Sequence, residues 1–232
     1  MNICVIPARG GSKRIPRKNI KEFNGKPIIA YSIEAAKSSK CFDEIIVSTD
    51  DNEIAEVAKN YGATVPFIRP YELSDDYIGT LPVIKHAVEF LNIDHSIEFV
   101  LCLYPTAPFI QSDIIKKAFN QLKVSRASFC FSVTSFPFPI QRALKITDNK
   151  RLCMFNPENL NKRSQDLEEA YQDAGQFYWG NASSFLNELV LFSEISSPYI
   201  LPRYLVQDID TPEDWTRAEV MYEVLKKKKL IK

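Results

Sequence analysis

Met1-Asn2-Ile3-Cys4-Val5-Ile6-Pro7-Ala8-Arg9-Gly10-Gly11-Ser12-Lys13-Arg14-Ile15-Pro16-Arg17-Lys18-Asn19 joins a short apolar run to a loop dense in cations. The run 3–6 is apolar and mostly β-branched, which predicts a buried strand. The loop 7–19 holds five cations among thirteen residues: Arg9, Lys13, Arg14, Arg17 and Lys18. Gly10 and Gly11 let the backbone approach a ligand closely, and the cations supply charge suited to a triphosphate. The loop has neither the GxxxxGK[ST] spacing of a Walker A segment nor the GxGxxG of dinucleotide folds. A basic surface loop with a Gly-Gly turn would have the same composition, so the loop's place in the fold has to separate the two readings.

Outward from this stretch, short apolar runs at 44–48, 64–68, 98–103 and 128–133 read as further strands. Amphipathic patterns at 28–37, 52–61, 80–91 and 112–124 read as helices between them. The alternation predicts an α/β fold, Rossmann-like, with a mainly parallel sheet and helices on both faces. Ligands in such sheets bind beyond the carboxyl ends of the strands, where the loop 7–19 would lie. The period breaks over 135–170, where Phe136-Pro137-Phe138-Pro139 leads into a polar stretch. A structureless loop of that length is uncommon, so a protruding dimerisation arm is expected there, within a single domain spanning 1–232. The pattern resumes at Gly175, and Thr211-Pro212 marks a last helix whose C-terminal end carries the basic run 226–229.

Gln207-Asp208-Ile209-Asp210-Thr211 places two carboxylates at i and i+2, on one side of an extended segment. Magnesium commonly takes one or two carboxylates together with phosphate oxygens, so Asp208 and Asp210 are candidate metal ligands. The competing reading is that Asp210 or Thr211 only caps the helix. Lys+Arg and Asp+Glu are balanced at 29 each, which gives no global attraction to nucleic acid or to an anionic membrane. The five cysteines are scattered without a CxxC pair, which disfavours a disulfide framework or zinc ribbon. No apolar run approaches a membrane span, and a cytoplasmic protein is expected. His86, on an amphipathic helix, and His95, in a polar connector, read as structural or surface residues.

PARGGSKRIPRKN, IIVSTDDNEIAEVAKNYGA, RPYELSDD, LYPTAPF and DIDTPEDW occur in this order along nearly the whole chain. Together they resemble the CMP-sialic acid synthetases, CTP-dependent sugar nucleotidyltransferases with a nucleotide-diphospho-sugar transferase type of fold. The stretch NPENLNKRSQDLEEAYQDAGQFYWG looks like the branch of that family that activates pseudaminic acid. Tyr104 stands where the neuraminate branch has glutamine, and Gln172 and Ala174 stand where it has arginine and asparagine.

The resemblance implies that CMP passes from CTP to the anomeric hydroxyl of a nonulosonic acid, with magnesium bound and pyrophosphate released. It makes Lys18 and Arg9 the catalytic cations. Ala8, Arg9, Gly10, Gly11, Ser12, Lys13, Lys18 and Asn19 would meet the triphosphate or ribose, while Arg69, Ile78 and Thr80 would approach the cytosine. Tyr104, Gln172, Asp173, Gln176 and Tyr178 would line the sugar pocket, within reach of Trp179, and Asp208 and Asp210 would hold the metal. Lys162 and Arg163, on the arm of a homodimer, are candidates for the substrate carboxylate. The alternatives are N-acetylneuraminic, legionaminic or 3-deoxy-manno-octulosonic acid as the sugar, or a catalytically silent nucleotide-binding protein.

Overall fold

The protein is described by a computed structural model covering residues 1–91 and 96–231. His95 lies outside the described residues. The chain forms strand β1 (Asn2–Pro7), a small hairpin of β2 (Glu22–Phe23) and β3 (Lys26–Pro27), helix α1 (Ile28–Ser39), β4 (Glu44–Ser48), α2 (Asn52–Asn60), α3 (Thr80–Leu91), β5 (Phe99–Leu103) and α4 (Ser112–Ser125). It continues through β6 (Phe129–Ser135), a hairpin of β7 (Leu144–Ile146) and β8 (Leu152–Met154), β9 (Tyr171–Asn181), α5 (Ala182–Leu186), β10 (Ser196–Ile200) and α6 (Pro212–Lys227).

Six strands make the central sheet in the order β10-β6-β9-β5-β1-β4. β1 runs parallel to β4 and β5, and β10 runs parallel to β6, while β9 is antiparallel to both β5 and β6. The successive residues of β1 divide between the two faces, as the strand period requires. Cys4 and Ile6 pack with α1, α2, α4 and α6, whereas Ile3 and Val5 pack with α3 and α5. Both faces are therefore covered, which accounts for the unbroken apolar run. From β1 the chain goes to β4 on one side and later to β5 on the other. This reversal makes the carboxyl end of β1 the switch point at which such sheets open a crevice.

One expected strand is corrected. Residues 64–68 make only isolated bridges, Ile46 to Thr64 and Thr49 to Ile68. Pro66 lies between them and has no N–H to donate, so a continuous ladder cannot form. The aperiodic stretch is not structureless: it holds the β7–β8 hairpin and short 3-10 turns, and Phe138, Leu144, Ile146, Leu152 and Phe155 are exposed on it. Among the described residues no helix is long and apolar enough to cross a membrane.

Helix α6 begins as the sequence predicts. Thr211 caps it, with the reciprocal Thr211–Asp214 capping box and Pro212 in the first turn, a device worth about 1 kcal/mol. Phe23 meets Tyr31, Trp215 and Tyr222 edge-on, at 5.6 Å between ring centroids in each pair. This cluster locks α6 onto α1 and thereby fixes the segment that precedes α6.

Candidate active site

At the carboxyl ends of β1 and β5 a cavity of about 540 Å³ opens. Arg9, Ser12, Lys13, Arg14, Lys18 and Asn19 enter it from the loop after β1, Tyr104, Pro105 and Thr106 from the end of β5, and Asp210 from before α6. Arg69, Ile78 and Thr80 line it from the connection between α2 and the first turn of α3. Four of the loop's five cations, Arg9, Lys13, Arg14 and Lys18, therefore converge on a concave site, as a ligand-binding loop would have them.

The loop is held from beneath by two aspartates that follow β4. Asp50 Oδ1 accepts the Gly10 N–H at 2.9 Å and faces the Arg69 guanidinium at 3.6 Å. A Cβ on Gly10 would lie 2.7 Å from Asp51 Oδ2, so only glycine allows this approach. Apart from its own chain neighbours, no atom of the described residues lies within 4 Å of the corresponding point on Gly11. Asn19 is buried and donates to the Arg9 carbonyl at 2.9 Å, tying the two ends of the loop together.

Arg69 is 4% exposed, and burial pulls its pKa down. Its Nε donates to Ser74 Oγ at 3.1 Å, while Nη2 has no hydrogen-bond acceptor. Nη2 instead faces the Asp50 carboxylate at 3.6 Å, a long ion pair that offsets part of the cost of burying the guanidinium.

Arg9 and Lys13 both pair with Asp76, Arg9 at 2.7 Å. Arg9 also donates to the Asp75 carbonyl at 2.7 Å. Asp76 thus ties up two of the cations that line the cavity. Because these bridges are exposed, their displacement costs little. Asp76→Asn is expected to tighten nucleoside triphosphate binding by roughly 2–5-fold at low salt. Calorimetric titration checks this, and weaker binding would instead make Asp76 an organiser of the loop.

Ile209 is fully buried and anchors the segment, so Asp208 and Asp210 turn to its other side. Asp210 pairs with Arg14 at 2.9 Å and Lys18 at 3.3 Å, and Lys18 Nζ also donates to the Ile209 carbonyl at 2.7 Å. Desolvation and the neighbouring Asp210 act on the Asp208 carboxylate more strongly than the Lys18 charge and the Ile209 N–H that favour it. Its pKa is raised, first by partial desolvation and then by Asp210. Although the residue reaches solvent, its neighbours on the segment remove part of its hydration.

Two hard carboxylates that repel one another suit a divalent cation. Among the described residues no group of three or more His, Cys, Asp or Glu side chains forms a complete cage. A cation held here would therefore need phosphate oxygens and water as further ligands.

Tyr104 forms the opposite wall. Its hydroxyl lies 2.8 Å from Thr80 Oγ1, and its ring packs against Tyr178 at 5.5 Å between centroids. The Tyr178 hydroxyl donates to Asp173, and burial is the main cause of its raised pKa. A bulge in β9 creates this arrangement: the register with β6 shifts between Phe131 and Val133, with Gly175 at φ 59°. Ser132 Oγ accepts the N–H groups of Gln176 and Phe177 at 3.3 and 3.2 Å, closing the bulge.

Of the expected sugar residues, only Tyr104 lines the cavity; Tyr178 and Asp173 stand behind it. Gln176 is buried and donates to the Leu205 carbonyl, and Gln172 is exposed opposite Thr134. Trp179 is corrected to a core residue: it is fully buried, stacks on Phe42 and Phe119, and donates to the Ile115 carbonyl at 3.1 Å. Ala8 is also buried, with its N–H on the Ser48 carbonyl at 2.9 Å. Ala8, Gly10, Gly11 and Asp208 do not line the cavity, nor do Lys162 and Arg163 on the aperiodic stretch, where Arg163 pairs with Asp166 at 2.7 Å.

His86 packs edge-on against Phe67 at 4.8 Å between ring centroids, and burial lowers its pKa. The cysteines are free, and Cys4, Cys102 and Cys130 are buried. Asp50, Asp51 and Asp76 hold the loop and its cations and were not singled out by sequence reasoning. The available signal was their location, directly after β4 and between Arg69 and α3.

A sequence model described as Cytidylyltransferase matches residues 3–200. A pseudaminic acid cytidylyltransferase of Campylobacter jejuni is 49% identical over 96% of this chain and 97% of its own length. A CMP-N,N'-diacetyllegionaminic acid synthase of Legionella pneumophila is 35% identical over 96% of both chains. Among solved structures, a CMP:2-keto-3-deoxy-manno-octonic acid synthetase complexed with CTP aligns with a TM-score of 0.70 over 96% of this chain and 98% of that one. At 14% identity, that last similarity is one of fold.

Proposed function

The chain belongs to the cytidylyltransferase family, and on that premise we propose that it transfers CMP from CTP to the anomeric hydroxyl of pseudaminic acid, releasing pyrophosphate. The observation that carries the chemistry is the convergence of the basic loop, Lys18 and Asp210 on one cavity. The choice of sugar rests on the 49% identity to the C. jejuni enzyme across nearly the full length of both chains.

Arg9 and Lys13, once released from Asp76, grip the triphosphate, and Arg69 with Ile78 and Thr80 supplies the wall for the base. Lys18 is placed to neutralise charge growing on the α-phosphate and departing pyrophosphate, while Arg9 shares that charge from the other side. Asp208 and Asp210 would hold a divalent cation, magnesium in this reading, which when bound neutralises phosphate oxygens and acidifies the attacking hydroxyl. Tyr104, backed by Tyr178 and Asp173, orients the sugar and keeps water from the reacting centre. No side chain has to form a covalent bond to the substrate, since positioning and charge supply most of the acceleration in such transfers.

We also assign the stretch 135–170 as a dimerisation arm, because its hairpin exposes Leu144, Ile146 and Leu152 on one face. Incubation with CTP, magnesium and a panel of nonulosonic acids should give pyrophosphate release with pseudaminic acid, from a protein that sediments as a dimer. Turnover restricted to N-acetylneuraminic or legionaminic acid would overturn the sugar assignment, and a monomer at micromolar concentration would overturn the arm assignment.

A further inference from the structure

Of the five loop cations, Arg17 alone does not line the cavity. It has a left-handed backbone, φ 55° and ψ 30°, which a residue with a Cβ seldom adopts. Its guanidinium is instead gripped from behind: Nη1 and Nη2 form a forked pair with Asp51, the second bond at 2.8 Å, and Nη2 also meets Glu53. Asp51 is itself fixed, because the same Oδ1 accepts the Ile54 N–H at 3.0 Å and caps α2. It also forms the wall against which Gly10 is pressed. Asp50 therefore holds the beginning of the phosphate loop through the Gly10 N–H, and Asp51 holds its end through Arg17. The pairing with Arg17 is strong enough to hold the Asp51 carboxyl down at about 2.

The effect on the next residue is geometric. With Arg17 pinned in the left-handed region, the chain reverses into the turn Lys18–Ile20, and the Ile20 and Lys21 N–H groups close on the Arg17 carbonyl at 3.0 and 2.9 Å. Lys18 then points away from α2, across the cavity, to Ile209 and Asp210. We infer that Arg17 is a positioning residue, and that the forked clamp of Arg17 on Asp51 and Glu53 holds Lys18 in its reactive place. Its charge is spent on those two carboxylates and is not presented to phosphate. This rests on the assignment of Lys18 as the cation that stabilises the reacting phosphate.

The test is a double-mutant cycle in steady-state kinetics. Arg17→Ala should lower kcat by roughly 10–100-fold, the size of effect that ångström-scale misplacement produces, with KM for CTP changed less than about 3-fold. In a Lys18→Ala background the same substitution should change kcat by less than about 2-fold, since it acts through the missing amine. Arg17→Lys, which can meet one carboxylate but not form the fork, should recover part of the loss. Asp51→Asn, whose asparagine still caps α2, should show a smaller loss in the same direction and keeps the cycle usable if Arg17→Ala does not fold. A full additive loss in both backgrounds, or a raised KM for CTP at unchanged kcat, would overturn the inference. Unchanged kcat in Lys18→Ala alone would instead overturn the Lys18 assignment beneath it.

Discussion

Lys18→Ala is expected to lower kcat by about 10²–10³-fold, the range seen when one preorganised donor to a developing charge is removed. Lys18 is 19% exposed, so its charge acts through a medium poorer in water than the surface. It is also already aimed: Nζ is held at 2.7 Å by the Ile209 carbonyl and 3.3 Å from Asp210. Little reorganisation is needed when phosphate arrives. The effect should therefore fall on kcat more than on KM for CTP, because Arg9 and Lys13 still bind the triphosphate. Lys18→Arg is not expected to restore the rate, since the planar fork cannot place a point charge on the same short line between loop and segment. Pre-steady-state release of pyrophosphate at saturating CTP measures the step directly. A loss confined to KM would make Lys18 a binding residue and move the catalytic role to Arg9.

The reading of the loop illustrates what a sequence discloses and what it does not. The apolar runs and helical periods put β1, β4, β5, β6 and all four long helices before α5 within a few residues of their places, because burial on both faces imposes a local pattern. The start of α6 was equally legible, since capping is local chemistry. The antiparallel insertion of β9 was not, because strand direction is set by a partner far along the chain. Gly175 looked like the return of a regular pattern, whereas it is the left-handed point of a bulge within a strand already begun at Tyr171. In sequence Arg17, like Arg14, reads as a solvated or rim cation beside Arg9, Lys13 and Lys18, and only the three-dimensional position of Asp51 and Glu53 shows where its charge goes. Residues that act through backbone conformation or through a distant partner leave no compositional trace.

The aspartate pair gives the second large effect. Asp208→Asn is expected to cut kcat/KM by on the order of 10³-fold, equivalent to about 4 kcal/mol of lost charge stabilisation, and to raise the magnesium concentration needed for half-maximal rate. Of the two positions, Asp208 is the cleaner probe. Asp210 is bonded to Arg14 and Lys18, so Asp210→Asn loosens the loop as well as removing an oxygen ligand, and its rate loss mixes two causes. The Asp208 charge is disfavoured on balance, first by partial desolvation and then by Asp210, with Lys18 and the Ile209 N–H offsetting only part of this. Neutralising it should leave the thermal midpoint of the protein at neutral pH no lower than before, because desolvation and the Asp210 charge outweigh the attraction of Lys18 and the Ile209 N–H. Loss of magnesium-dependent turnover with undiminished stability is the signature of a ligand position, whereas a parallel fall in both would mark Asp208 as structural. Normal turnover with an ordinary magnesium requirement would leave Asp210 and the phosphates to hold the cation and remove Asp208 from the site.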